Sequence, residues 1–102
     1  MKEVKVKEKW VKQQVVKMLK DRGAYHFYPV ASGYMSIGVP DIVACYKGSF
    51  MGIECKAGKN KPSVLQEKNL QHIQDNEGIA MVVNEDNLVA FQNFLDEMRK
   101  WK

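Results

Sequence analysis

Apolar positions between residues 2 and 22 recur at intervals of three and four. Val11, Val15, Met18 and Leu19 fall on one side and lysines fill most of the remainder. That spacing predicts an amphipathic helix over residues 2–22, capped at its C-terminus by Gly23. The pattern then changes. Residues 24–30 are aromatic-rich and predict a first strand, with His26 as a structural residue inside it. A glycine-containing loop leads to Pro40. Two apolar runs follow, Ile42–Tyr46 and residues 50–53, separated by Gly48-Ser49. Strand-like runs around a Gly-X pair predict a β-hairpin with a type II′ turn. Ser63 opens a second helix that reaches Gly78, with Leu65, Leu70 and Ile73 as its packing residues and His72 on the surface. The continuous apolar run Ile79–Val83 predicts a buried strand. A last helix over residues 86–101 carries the stripe Leu88, Phe91, Leu95 and Met98, flanked by Phe94 and Trp101. The order is αβββαβα in a single domain over residues 1–102, with no repeat, linker or low-complexity segment. Strand, helix, strand implies a parallel crossover, so the fold class is α/β, a mixed sheet flanked by helices.

The hairpin concentrates the candidate chemistry. With Gly48-Ser49 as the loop, Lys47 pairs with Phe50, Val43 opposes Glu54 and Asp41 opposes Lys56. Alternation then puts Asp41, Glu54 and Lys56 on one face. Ile42, Ala44, Tyr46, Met51, Ile53 and Cys55 take the other, which is the core face. A slip of one residue would move Asp41 to the wrong side. Two carboxylates and an ammonium on one sheet face are compatible with an ordinary ion cluster or an exposed edge. They also suit a hard divalent cation, which takes oxygen ligands and keeps several waters. A lysine two residues beyond the glutamate would hold a water or balance phosphate charge, the chemistry of phosphodiester hydrolysis.

Composition narrows the partners. The net charge is +4 and the pI about 9.1, which favours an anionic partner. Arg22 and Arg99 are the two arginines among sixteen basic residues, a balance suited to phosphate contact more than to base reading. Cys45 and Cys55 fall on opposite sheet faces and cannot bridge. No C-x-x-C pair occurs, which disfavours zinc, and free cysteines fit a reducing cytosol. The lysine-rich N-terminus lacks an apolar core and is no signal peptide. No apolar run approaches the ~18 residues of a membrane span.

Taken in order, Pro40-Asp41 and Glu54-Cys55-Lys56 resemble the PD-(D/E)xK nuclease superfamily. More closely they resemble the small VRR-NUC nucleases, which include stand-alone phage and bacterial proteins. The resemblance extends to Glu8, Ser32-Gly33, Gly38, Ile53 to Ala57 and Ser63-Val64-Leu65-Gln66. It implies a restriction-endonuclease-like αβββαβ core with an extra C-terminal helix, and an Mg²⁺- or Mn²⁺-dependent deoxyribonuclease. Asp41 and Glu54 would bind metal with the Cys55 carbonyl. The family more often has valine at that last position, and a backbone ligand tolerates the change. Glu8, with Glu3 as its competitor, would hold a second metal or a water. Lys56 would orient the attacking water and offset negative charge, and Gln66 would hold the water or the scissile phosphate. Ser32, Gly33, Lys59, Lys61 and Lys9 are the candidate contacts to nucleic acid.

Several of these residues also have plain structural explanations. Glu8 is a first-turn glutamate favoured by the helix dipole. Ser63-x-x-Gln66 is a capping box that accounts for both residues, and Ser32-Gly33 is ordinary turn chemistry. Lys2, Lys5, Lys9 and Lys12 lie mostly off the buried stripe and suit a solvated face. Stand-alone members of the family look like junction resolvases, which implies a homodimer on four-way DNA in the cytoplasm of a bacterium or a phage-infected host. Trp10, Tyr34, Phe50 and Trp101 are the interface candidates. The alternatives are a flap- or single-strand-selective nuclease of the same fold, or a non-catalytic nucleic-acid-binding module.

Overall fold

The computed structural model describes residues 5–30 and 38–101. Helix α1 spans Glu8–Asp21, later than the periodicity alone suggests, because Lys7 is extended at φ −100°, ψ 147° with no side-chain cap. Lys5 and Lys7 put positive charge where the helix dipole disfavours it, and Glu8 is the first residue that complements the dipole. Gly23 follows at φ +70° as expected of the cap. Strand β1 is only Tyr25–Phe27, ending before Pro29, which has no N–H to donate. Strands β2 (Ile42–Tyr46) and β3 (Ser49–Cys55) form the hairpin. Helix α2 (Val64–Asp75), strand β4 (Ile79–Val83) and helix α3 (Leu88–Met98) complete the order αβββαβα.

The strands lie in the order β1-β2-β3-β4. β1, β2 and β3 pair antiparallel and β4 joins β3 in parallel, as the crossover implied. The result is the expected mixed sheet flanked by helices, consistent with a restriction-endonuclease-like core. β4, expected to be buried as a continuous apolar run, is an edge strand in which only Val83 is fully buried. No helix among the described residues is long and apolar enough to cross a membrane.

The hairpin turn differs from expectation. Its two loop residues are Lys47 and Gly48, at φ 52° and 80°, the left-handed pair of a type I′ turn. Tyr46 therefore pairs with Ser49, and Ile42 with Ile53. Glycine suits the second central position of this turn, so Lys47-Gly48 displaces Gly48-Ser49 as the loop. The register is shifted by two residues, and side chains alternate with period two, so every residue keeps its face. What changes is the neighbour: Asp41, one step outside the Ile42–Ile53 pair, stands opposite Glu54 and not Lys56.

The inner face of the hairpin is the core. Ile42, Ala44, Tyr46, Met51, Ile53 and Cys55 pack under Val11, Val15 and Leu19 of α1 and Phe91, Leu95 and Met98 of α3. Met18 is only partly buried at the edge of that cluster. Arg22 ties the end of α1 to α3 through Asp96 at 2.9 Å. Cys45 is exposed and Cys55 buried, both as free thiols.

Helix α2 covers the opposite face. A Cβ on Gly52 would collide with the Cδ1 of Ile73 and come within 3.0 Å of Pro40 Cγ, so the bare glycine lets α2 settle close to β3. Gly38, at φ +89°, does the same for the loop ahead of Pro40: a Cβ there would lie 2.7 Å from the Leu65 carbonyl carbon. Leu65 itself, expected to pack on the sheet, is 45% exposed.

Candidate active site

Two close approaches, at Gly38 and Gly52, bring the Pro40-Asp41 segment, the end of β3 and the start of α2 together. In the observed register the β2 position opposite Cys55 is Pro40, where β2 has already ended. The Cys55 N–H, left without a ladder partner on that side, donates to Asp41 Oδ2 at 2.8 Å. A strand residue directs its N–H and C=O to the same edge, so the Cys55 carbonyl also faces Asp41. On the other side of β3 the Lys56 N–H donates to the Val83 carbonyl at 3.0 Å, which holds Lys56 one residue past the strand.

Glu54 is the one buried charged residue among the described residues, at 1% exposure. Its Oε1 accepts from Gln66 Nε2 at 3.2 Å, while its Oε2 is buried and no N–H or O–H of the described residues donates to it. Burial pushes its pKa from an ordinary 4.5 up to about 8, reinforced by a shared hydrogen bond with Asp41 and by the Asp41 charge. Lys56 pulls the other way, and Glu8 adds a smaller upward push. Two carboxylates cannot share a hydrogen bond unless one carries a proton. Without a cation, one of the two carboxyls therefore keeps a proton. Ionised and unpaired, a buried carboxylate would cost several kcal/mol.

That deficit is the test of whether a metal fits. Asp41 and Glu54 present hard carboxylate oxygens side by side, one of them without a donor among the described residues. Among the described residues no three His, Cys, Asp or Glu side chains cluster as a metal-binding group, so the carboxylate pair stands alone. A cation that keeps several waters and takes one or two carboxylates matches this donor set. The Cys55 thiol takes no part: burial first, then the Asp41 and Glu54 charges, push its pKa up to about 12.

Gln66 combines two roles at the start of α2. Its side-chain oxygen accepts from the Ser63 N–H at 2.8 Å, and Ser63 Oγ accepts from the Gln66 N–H at 3.2 Å. This is the expected capping box. The amide's other end is then free to hold Glu54. Glu8 is exposed as the first residue of α1. Its charge reaches Glu54 and Cys55, but among the described residues it is not part of the carboxylate pair. Glu8 and Lys59 border a cleft of about 730 Å³ with Lys5, Lys7 and the 57–60 loop. Lys61 is exposed farther along that loop and Lys9 is exposed on α1. Ser32, Gly33, Tyr34 and Glu3 lie outside the described residues.

Two positioning residues escaped the sequence reading. Gly52 looked like any strand glycine until α2 was seen to need its bare Cα. Glu85 accepts from the Gly58 N–H through both oxygens, at 2.7 and 3.0 Å, and so anchors the basic loop. An acid 27 residues away in sequence leaves no local pattern to announce that contact.

A family model described as archaeal Holliday junction resolvase (hjc) matches residues 3–80. The match runs from ahead of α1 into β4 and takes in Asp41, Glu54, Lys56 and Gln66. No curated protein matches the chain. The VRR-NUC likeness rests on the motif residues alone. With a carboxylate pair, lysine and glutamine gathered where β2 and β3 end, and about three quarters of its length matched, the chain belongs to the archaeal Holliday junction resolvase family of PD-(D/E)xK nucleases, which hydrolyse DNA.

Proposed function

We propose that this protein is a divalent-metal-dependent endonuclease that resolves four-way DNA junctions as a homodimer in the cytoplasm. One observation carries the reading: among the described residues no N–H or O–H donor reaches the buried Glu54 Oε2, while Asp41 crowds the same carboxyl. Asp41, Glu54 and the Cys55 carbonyl would hold Mg²⁺ or Mn²⁺. When bound, such an ion polarises the phosphoryl oxygen and makes its water a better nucleophile. Lys56, beside the pair, orients the attacking water and stabilises the charge that develops on the phosphate. Gln66 keeps Glu54 aimed and offers an amide N–H at the edge of the site. Glu8, whose charge reaches Glu54, would hold a further water or cation. The order of Glu54-Cys55-Lys56-Ala57 and Ser63 to Gln66 supports a VRR-NUC-like layout of the same groups.

The deciding assay compares four-way, flap and linear DNA with Mg²⁺, Mn²⁺ or EDTA. Paired nicks in the junction with either metal, and none with EDTA, are expected. Asp41→Asn should cut more than about 100-fold slower, since losing an outer-sphere partner alone costs 10–100-fold. It should bind the junction as well as wild type or better, because a negative charge near phosphate is gone. Junction binding without cleavage in either metal would leave the non-catalytic module standing. Flaps cut far faster than junctions would leave the nuclease but end the resolvase reading.

A further inference from the structure

The exposed side of α1 carries more positive charge than the molecule itself explains. Lys9, Lys12, Lys17 and Lys20 line one groove of about 580 Å³ with Tyr28 as its far wall and Asp21 as its one acid. Lys12 lies across the Tyr28 ring, 5.1 Å from its centre, which holds that ammonium extended into the groove. Among the described residues the ion pairs are Arg22–Asp96 and Lys100–Glu97, so none of these four lysines is neutralised by a neighbour. Lysines three apart on a helix face repel by about 0.2–0.5 kcal/mol a pair; Asp21, the Tyr28 ring and the C-terminal end of the α1 dipole offset this only in part. Shared lysines also link the groove stepwise to the cleft beside Glu8 and Lys59. Lys9 lies in the groove and also lines the next depression along α1, together with Lys5 and Lys7. Lys5 and Lys7 in turn border the cleft beside Lys59.

We infer that this groove is a second nucleic-acid site, holding the phosphate backbone of a duplex arm that leads away from the cleavage cleft. The run from Lys9 to Lys20 rises about 17 Å along the helix. At about 3.4 Å of axial rise per phosphate on one strand, that spans roughly five phosphates. Lysine point charges with a single aromatic suit backbone contact and carry no base readout. The inference rests on DNA as substrate, but concerns affinity and not the cleavage step.

The test is binding of a four-way junction in EDTA over a salt series, for wild type, Lys17→Gln/Lys20→Gln and Lys17→Arg/Lys20→Arg. The glutamine variant should flatten the log–log salt slope by about 0.9 per lost contact, with a thermal midpoint like wild type. The arginine variant should keep the wild-type slope. Single-turnover cleavage at saturating protein should change less than about twofold, because bound substrate meets an intact site. An unchanged slope overturns the inference, and so does an equal loss in the arginine variant. A saturating rate that falls with the slope also overturns it, since the groove would then belong to the chemistry. If no metal supports cleavage and the slope still flattens, the arm site stands and the resolvase reading falls.

Discussion

At the scale of single residues the molecule turns on Glu54. Its carboxyl is 1% exposed and titrates near 8. Between the ordinary carboxyl value and 8 the folded protein therefore binds a proton that the unfolded chain has already released. By linkage that contribution to stability is fully present below pH ~4.5 and is lost as pH rises through 8. The shift corresponds to a few kcal/mol at most. In EDTA, unfolding free energy from urea melts should fall between pH 5 and pH 9. Mn²⁺ or Mg²⁺ should restore it at the alkaline end, and the metal midpoint should drop as pH rises, because metal and proton compete for the same oxygens. Glu54→Gln should flatten both dependences and be more stable than wild type at pH 9 without metal. A wild-type profile that is flat over this range would mean that Glu54 is not the buried proton site.

At the scale of elements, the start of α2 is both a helix terminus and a wall of the site. Ser63 and Gln66 satisfy one another's backbone N–H groups, and only the spare amide of Gln66 reaches Glu54. Ser63→Ala should cost about 1 kcal/mol as a lost cap and leave cleavage within a few-fold. Gln66→Ala should cost about as much stability and, in addition, slow cleavage, since the aim of Glu54 goes with it. Equal effects of the two on rate would mean that Gln66 acts through helix stability alone. The capping box was legible from Ser63-x-x-Gln66 because it is local. The contact with Glu54 depends on how closely α2 approaches β3, which Gly52 decides through Ile73 and Pro40.

At the scale of the whole molecule, the described residues hold one buried carboxylate pair, and a junction needs two symmetric cuts. A two-fold dimer provides them. Trp10, Phe50 and Trp101, at 44%, 49% and 52% exposure, remain available to such an interface. Sedimentation at micromolar protein should give twice the chain mass, and a charged substitution at Phe50 should weaken association before it weakens the fold. A monomer at those concentrations would oppose the dimer. Junction nicks from it would come one at a time, uncoupled across the two strands.

Periodicity and motif order determined most of the architecture without help. Helix stripes, the apolar run of β4 and the sequence of elements depend on local spacing, and the elements appear in the order the pattern gives, although their ends and the burial of β4 and Leu65 do not follow it. The Asp41–Glu54–Lys56 face was legible for the same reason, because alternation survives a two-residue slip. The partner of Asp41 was not. Lys47-Gly48 and Gly48-Ser49 are both acceptable turns to a short stretch of chain, and choosing between them set Glu54 opposite Asp41. Nor could any local rule announce that Glu54 would be wholly buried with one oxygen unpartnered. Nor could one place four α1 lysines in a single groove with Tyr28. Burial and charge crowding depend on what packs above and beside a residue, and those neighbours come from distant parts of the chain.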